Sequence, residues 1–204
     1  MKRLLLVSML QEVTEKVREA APDLAGGTVI YIPTAGKVEP HTEGMVEAET
    51  TLLQSLGLTV EVLDVSTAAP ETIAEGFAQS AAIFVGGGNT FYLLQELRRS
   101  GALTRLRAEI ASGKWYIGES AGAVIACPDI GYCAEMDDPS LAPELDGDYA
   151  ALGVVDFTLV PHIGNPWMGE AAEAIRARRT DDAHLLAITD GELVRVLGDE
   201  VTVL

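Results

Sequence analysis

The chain lacks the features that mark several classes of protein. It has only two cysteines, Cys127 and Cys133, too few for a disulfide scaffold and without the spacing of a metal-ligand motif. No apolar run reaches the roughly 18 residues that a membrane helix needs. The apolar residues 4–7, which follow Lys2 and Arg3, are too few for the core of a signal peptide. These absences predict a cytoplasmic protein with no membrane segment.

Basic residues are also scarce. The 204 residues include 14 lysines and arginines against 31 acidic residues, a formal net charge of −17. Such a charge repels phosphate backbones and acidic membrane surfaces, so neither nucleic acid nor a membrane is an expected partner. Hydrophobic residues make up 48% of the chain, an ordinary globular proportion, and the length predicts one domain over residues 1–204. The oligomeric state stays open, with a homodimer as one arrangement.

Short apolar runs alternate with segments of helical periodicity along the chain. Buried runs such as residues 81–85 are typical of central parallel strands covered on both faces. The alternation predicts an α/β fold, a three-layer sandwich with helices on both faces of a mostly parallel sheet. The predicted strands are residues 1–7, 28–32, 58–65, 81–85, 115–117, 157–160, 185–189, 193–197 and 201–204. The predicted helices are residues 41–56, 70–79, a segment beginning near residue 90, 102–112 and 167–178.

One long segment, residues 128–154, does not fit this alternation. It contains three prolines, several acidic residues and little periodicity. Structureless segments of that length are usually functional in a compact domain. We therefore expect a lid-like excursion beside the active site.

The strongest local motif is the G-x-S-x-G sequence Gly118-Glu119-Ser120-Ala121-Gly122. It directly follows a predicted strand and precedes a helical start of small residues. A turn of this kind lifts the serine hydroxyl clear of the sheet, and the amide after the serine faces a developing oxyanion. The motif favours Ser120 as a nucleophile; the alternative is a helix-capping serine between two packing glycines.

A second glycine-rich turn, Gly86-Gly87-Gly88-Asn89, follows the strand at residues 81–85. Its amides carry no side-chain cover, which suits an anion or an oxyanion. Both turns end strands of one parallel sheet, so both should open at the edge where such sheets bind ligands. Gly87, Gly88 and Asn89 are therefore candidate substrate-binding residues. The alternative is a tight turn in which Asn89 or Thr90 caps a helix.

A nucleophilic serine needs a base, and the chain has three histidines. His41 opens a predicted helix, and His184 lies in a predicted surface turn. His162 follows the strand at residues 157–160, at the same sheet edge as Ser120. Position therefore selects His162 as the base.

A carboxylate should orient that histidine, and the acidic chain offers several. Glu135, Asp137 and Asp138 lie in the excursion between Ser120 and His162. The turn at residues 189–192 adds Asp190 and Glu192 at the same edge. The sequence alone does not indicate which of these carboxylates contacts the histidine.

Together these segments resemble a known family. The turn at residues 86–91, the motif at 118–123, Ala126-Cys127-Pro128 and Pro161-His162 are similar to those of the peptidase E family of serine peptidases, the α-aspartyl dipeptidases, with cyanophycinases as more distant relatives. The resemblance covers most of the chain. It implies a class I glutamine amidotransferase-like (flavodoxin-like) fold in which serine replaces the usual cysteine.

The resemblance also implies roles for individual residues. Ser120 would be the nucleophile and His162 the base, and the amides of Gly88 and Ala121 would bind the oxyanion. No metal or organic cofactor is implied. Glu119 stands where aspartyl dipeptidases carry tryptophan, so the substrate preference is expected to differ.

The triad acid of that family is an aspartate fifteen residues after the serine. Counted without gaps, this position is Glu135, which implies a Ser-His-Glu arrangement. Asp137 and Asp138 are alternatives in the same segment. Glu192 is a further alternative by analogy with cyanophycinases, whose acid follows the histidine.

The predicted function is hydrolysis of short peptides, dipeptides and Asp-X dipeptides among them, by a serine peptidase. An aspartyl substrate would need a local cation, and Lys37 is the candidate. The alternatives are a non-catalytic protein that binds a small anion and a cyanophycinase-like amide hydrolase. A cysteine-dependent amidotransferase is excluded by position, because Cys127 lies two helical turns beyond the elbow and is expected to be an inert buried thiol.

Overall fold

The fold is built on a seven-stranded sheet and a separate two-stranded sheet. The computed structural model describes residues 1–40, 42 and 44–204. The start of the predicted helix at His41 therefore lies outside the described residues. In the described part the strands are β1 (Arg3–Val7), β2 (Thr28–Ile32), β3 (Thr59–Val62), β4 (Ala82–Val85), β5 (Trp115–Glu119), β6 (Thr158–Ile163), β7 (Leu185–Thr189), β8 (Leu193–Leu197) and β9 (Glu200–Val203).

The large sheet has the order β3-β2-β4-β5-β1-β8-β9. The pairs from β3 to β1 are parallel, and β8 and β9 extend the sheet as an antiparallel hairpin. The carboxyl ends of β4 and β5 are therefore neighbours at one edge. This places the two glycine-rich turns side by side, as the sequence predicts.

Helices cover both faces of the large sheet. Their bounds are α1 (Leu10–Ala20), α2 (Met45–Ser55), α3 (Pro70–Gln79), α4 (Thr90–Arg99), α5 (Ala102–Ser112), α6 (Ala121–Val124) and α7 (Gly169–Arg178). None of the described helices is long and apolar enough to cross a membrane.

Alternate side chains of each strand enter different halves of the core. Leu5 and Val7 of β1 pack with Leu53 of α2, whereas Leu4 and Leu6 face the opposite side. That opposite half includes the buried faces of α3, α4 and α5. The period of two in a strand thus produces two apolar layers around one sheet. The prediction of a three-layer α/β fold with a mostly parallel sheet is confirmed.

Two features differ from the sequence prediction. Helix α1, which follows β1, is absent from the sequence prediction, although its buried residues Leu10, Val13 and Val17 lie at helical spacing. Strands β6 and β7 pair only with each other, as a parallel pair outside the large sheet. Helix α7 packs against β6 and buries Ala172 and Ile175 there.

Residues 128–154 form a compact segment of three short 3₁₀ turns without long helices or strands. Its ends are joined by an isolated bridge between Asp129 and Ala150. Cys133, Leu145 and Leu152 are buried in the main core. The segment is therefore anchored to the domain by its own apolar side chains, as in compact surface loops generally.

Candidate active site

Ser120 occupies the sharp turn between β5 and α6. Its backbone has φ 49° and ψ −110°, a strained conformation for a residue with a side chain. The neighbouring glycines leave no room for a larger residue: a Cβ on Gly118 would lie 2.3 Å from the carbonyl oxygen of Gly122. A Cβ on Gly122 would lie 2.0 Å from the carbonyl oxygen of Val85. Close packing of β4, β5 and α6 thus explains both glycines of the motif.

His162 reaches Ser120 from the two-stranded sheet. Its Nε2 lies 2.9 Å from the Ser120 Oγ, and its side chain is only 8% exposed. The His162 backbone has φ 69°, and the pairing of β6 with β7 shifts register between Val160 and Ile163. This irregularity accompanies a backbone turn at His162, which is one of three described non-glycine residues with positive φ.

Asp190 is the carboxylate that contacts His162. It follows β7 directly, and its Oδ1 lies 2.9 Å from the Nδ1 of His162. A carboxylate accepts hydrogen bonds, so Nδ1 donates to Asp190 and Nε2 is left to accept from the hydroxyl of Ser120. Asn165 donates to the other oxygen, Oδ2, at 2.6 Å. The chain therefore aligns serine, imidazole and carboxylate in one hydrogen-bonded row.

The prediction that Glu135 contacts His162 is wrong. The Glu135 carboxylate forms an ion pair with Arg178 of α7 instead. A position fifteen residues after Ser120 does not place Glu135 beside His162, because residues 128–154 fold into a packed loop. In such a loop the distance along the sequence does not give the position in space.

The three alternative acids also have other partners. Asp137 accepts from the backbone N–H of Thr90 at 2.9 Å and thereby caps α4. Asp138 accepts from Ser140, and Glu192 accepts from the backbone N–H of Thr189 at 2.7 Å within its own turn. Each is bonded to a backbone amide rather than to imidazole.

Asp137 nevertheless lies close to Ser120 and His162. It lines a cavity together with Ser120 and His162. Burial raises the pKa of the Asp137 carboxyl, while the hydrogen bonds from Thr90 oppose that effect. Asp137 is therefore part of the wall of the site.

The glycine-rich turn lies directly beside Ser120. Gly88 has φ 127°, and a Cβ there would lie 2.3 Å from the carbonyl carbon of Ala35, so only glycine fits. A Cβ on Gly87 would lie 3.4 Å from that of Ser120, which shows how closely the turn approaches the serine. Within the described residues, the backbone amide of Gly88 donates to no protein acceptor. That amide is free to bind a ligand.

Asn89 has a structural position instead. It is fully buried, and its Oδ1 accepts from the backbone N–H of Tyr92 at 2.9 Å. Its Nδ2 donates to Glu39 and to the carbonyl oxygen of Asp138, both at 3.2 Å. The polar atoms of Asn89 are thus used within the protein. Asn89 is therefore not a substrate-binding residue, and the alternative prediction, a helix cap, is confirmed.

Two adjoining cavities of about 240 Å³ each open on Ser120. They share Gly88, Ser120, His162 and Met168. The first is also lined by Ser8, Met9, Met45, Glu49, Gly87, Glu119, Asn165 and Trp167, and the second by Glu39, Met136 and Asp137. The lining of both cavities contains carboxylates and no lysine or arginine among the described residues.

Lys37 does not supply the predicted cation. Its Nζ lies 2.5 Å from Asp64 Oδ2 and 3.1 Å from Ser66 Oγ. It lines a separate cavity, bounded by Pro33 and Met45. Its charge is already paired, so the prediction that it receives an aspartyl side chain is wrong.

Two residues that support the row of hydrogen bonds were missed from the sequence. Ser8, just after β1, accepts from the backbone N–H of His162 at 3.1 Å and donates to the carbonyl oxygen of Thr189 at 3.2 Å. Asn165 accepts from the N–H groups of Trp167 and Met168, which precede α7. No local motif marks either residue. For Asn165, the one feature of the sequence that could have indicated its role is its position three residues after His162.

Cys127 is buried beside β6, as expected for an inert thiol. Its Sγ accepts from the backbone N–H of Leu159 at 3.3 Å, and burial raises its pKa. Within residues 1–40, 42 and 44–204, no cluster of three or more histidine, cysteine or acidic side chains is placed to hold a metal ion.

The fold and these contacts together define a class of protein. A serine on a strained strand-to-helix turn, bonded to an imidazole that is bonded to a carboxylate, is the arrangement of serine hydrolases on α/β folds. The open amide beside the serine is typical of the same class.

Comparison with known proteins identifies the family. The model of peptidase family S51 matches residues 4–204, so the chain belongs to that family and is a serine peptidase. An uncharacterized peptidase of Listeria monocytogenes is 42% identical over 201 residues, which cover 98% of this chain and 97% of the relative. Peptidase E of Salmonella arizonae is 36% identical over 138 residues, 68% of this chain and 56% of that protein.

Solved structures agree with this assignment. A crystal structure from Listeria monocytogenes, described as a candidate peptidase E protein, superposes with a TM-score of 0.92 at 42% identity and covers 100% of this chain and 98% of its own. A peptidase from an acI-B1 actinobacterium, at 19% identity and a TM-score of 0.70, shares the fold; the alignment covers 100% of this chain and 87% of that one.

Proposed function

We propose that the protein hydrolyses short peptides, dipeptides in the first place, through an acyl-enzyme formed on Ser120. The observation that carries the proposal is the row of hydrogen bonds from Ser120 through His162 to Asp190, at 2.9 Å for each contact of the imidazole. Such a row activates a hydroxyl that is otherwise a weak nucleophile.

The chemical steps follow from these positions. Ser120 Oγ attacks the peptide carbonyl while its proton passes to the Nε2 of His162. The amides of Gly88 and Ala121 bind the oxyanion, and His162 then donates the proton to the leaving amine. Water attacks the acyl-enzyme with His162 as base, which releases the acid and restores the serine. Asp190 holds the imidazole in its tautomer and stabilises its cation.

The surroundings favour small substrates. The cavities of about 240 Å³ are bounded by residues 136–137 of the packed excursion on one side and by Trp167 on another. This size suits a few residues of peptide rather than a folded protein. Asp-X dipeptides are the natural first assay set because of the peptidase E relatives. A short peptide series with other first residues belongs beside them.

The test is intact-mass analysis after treatment with a small fluorophosphonate, with wild type beside Ser120→Ala. We expect one adduct on wild type and none on the variant, because only an activated serine reacts with this reagent. Dipeptide hydrolysis should fall by several orders of magnitude in Ser120→Ala. Near-normal turnover by that variant would contradict the proposal, and no adduct on either protein would favour a non-catalytic binding protein.

A further inference from the structure

An unused pair of carboxylates lies beside the nucleophile. Glu49 of α2 and Glu119, the last residue of β5, both line the cavity that opens on Ser120. Glu49 is only 6% exposed. The mechanism proposed above assigns no role to either side chain.

These carboxylates have unused acceptor atoms. Glu119 accepts from the backbone N–H of Leu10 at 2.8 Å through Oε1, but its Oε2 is buried with no hydrogen-bond partner among the described residues. The Oε2 of Glu49 and the hydroxyl oxygen of Tyr31 also lack a well-aligned hydrogen-bond partner within the described part of the chain, and these side chains and Glu119 lie close enough to affect one another's pKa. A buried polar atom without a partner costs free energy, so three together point to a missing ligand.

The backbone packs closely against this cluster. Gly86 lies over it: a Cβ at that position would be 2.8 Å from Glu49 Oε2 and 3.3 Å from the Tyr31 hydroxyl oxygen. Gly86 belongs to the same turn as Gly88, whose amide is proposed above to bind the oxyanion. The carboxylates thus lie against the turn that would hold the scissile carbonyl.

The charge of the cluster selects the ligand. Burial raises the pKa of Glu49 and the adjacent Glu119 raises it further; burial also raises the pKa of Glu119. The raised pKa favours a proton on Glu49, and a substrate cation bound between the two carboxylates would take the place of that proton. No lysine or arginine among the described residues lines the cavity, so the protein does not supply that cation itself.

We propose, on the basis of the function proposed above, that Glu49 and Glu119 bind an ammonium group of the substrate's amino-terminal residue. In a dipeptide the α-ammonium is separated from the attacked carbonyl carbon by one atom, and Glu119 directly precedes Ser120 in the chain. The aliphatic and aromatic walls, Met9, Met45 and Trp167, also fit the stem of a lysine whose ε-ammonium reaches the same carboxylates. The first source makes the enzyme one that requires a free amino terminus, and the second makes it one that prefers a first residue with a cationic side chain.

The experiment measures peptide binding in the absence of turnover. Calorimetric titration of Ser120→Ala with Lys-Ala, norleucyl-Ala and their N-acetyl forms separates the two sources. At least tenfold weaker binding on acetylation of both peptides assigns the α-ammonium. At least tenfold tighter binding of Lys-Ala than of norleucyl-Ala, unaffected by acetylation, assigns the ε-ammonium. Equal affinity for all four peptides overturns the proposal.

Matched variants locate the effect. Glu119→Gln in the same background keeps an acceptor for the Leu10 amide and should abolish the discrimination. Glu47→Gln, on the exposed face of the same helix as Glu49, makes the same charge change and should preserve it. Discrimination that persists in Glu119→Gln and Glu49→Gln overturns the proposal.

The outcome is independent of catalysis. A wild-type protein that fluorophosphonate does not label would refute the peptidase mechanism, whereas the titrations would still report whether the carboxylates bind ammonium.

Discussion

At the scale of single residues, the identity of the orienting acid is the main result. Asp190 and Glu135 are both candidate carboxylates in the sequence, and the structure gives them different partners. Asp190 contacts the imidazole and is 19% exposed, whereas Glu135 pairs with Arg178 at the surface. Surface ion pairs contribute little free energy to folding, whereas in the proposed mechanism the carboxylate that orients the imidazole has a large effect on the rate.

The different partners of Asp190 and Glu135 predict different effects when each carboxylate is replaced by its amide. Asp190→Asn should lower kcat by about 10²- to 10⁴-fold, because the amide can hold the imidazole in the wrong tautomer. Glu135→Gln should change kcat by less than about twofold, because only a surface ion pair is lost. The measurement is steady-state hydrolysis of one dipeptide by both variants. A larger loss in Glu135→Gln than in Asp190→Asn would restore the Ser-His-Glu interpretation.

At the scale of elements, the elbow depends on three segments in close contact. Strand β4, strand β5 and helix α6 approach so closely that Gly118 and Gly122 touch backbone atoms. Periodicity predicts each segment separately. The contact between them explains why small residues recur around Ser120.

The close packing around Gly122 predicts that even an added methyl group there lowers the stability of the protein. Gly122→Ala should lower the free energy of unfolding by about 1–3 kcal/mol or more, because its Cβ would overlap the Val85 carbonyl. Gly191→Ala is the control: no atom lies within 4 Å of its added Cβ, and we expect a change within about 0.5 kcal/mol. Urea unfolding of both variants measures the difference. Equal stabilities would show that α6 moves freely away from β4.

At the scale of the whole molecule, the row of hydrogen bonds from Ser120 to Asp190 joins two sheets. Ser120 belongs to the seven-stranded sheet, and His162 and Asp190 come from the β6–β7 pair. Ser8 connects the two bodies, because its hydroxyl bonds the backbone of both His162 and Thr189. The relative position of the sheets therefore sets the distance between Ser120 and His162, the proposed nucleophile and base.

Ser8 should accordingly act as a positioning residue. Ser8→Ala is expected to lower kcat about tenfold with a smaller change in KM, because misplaced catalytic groups lose rate. Ser8→Thr, which keeps the hydroxyl, should restore most of the rate. Ser112→Ala removes a hydroxyl bonded to the carbonyl oxygen of Glu109 at the surface and should leave kcat unchanged. If Ser8→Ala and Ser112→Ala have equal kcat, the bridge has no positioning role.

The sequence by itself determined the α/β alternation, the glycine-rich turns and the choice of Ser120 and His162. The turns are local features: a strand, a turn and the next helix lie within about ten residues, so spacing and residue type suffice to predict them. His162 was indicated instead by its position after a predicted strand, among only three histidines.

Only the tertiary structure decided that Asp190 contacts His162, that Ser8 joins the sheets and that Glu49 meets Glu119. Asp190 is 28 residues from His162, and Ser8 is 154 residues away from it. Contacts at such separations depend on how whole elements pack. In a chain with many acidic residues, moreover, the sequence does not indicate which carboxylate contacts the histidine, because that depends on the residues packed around each one.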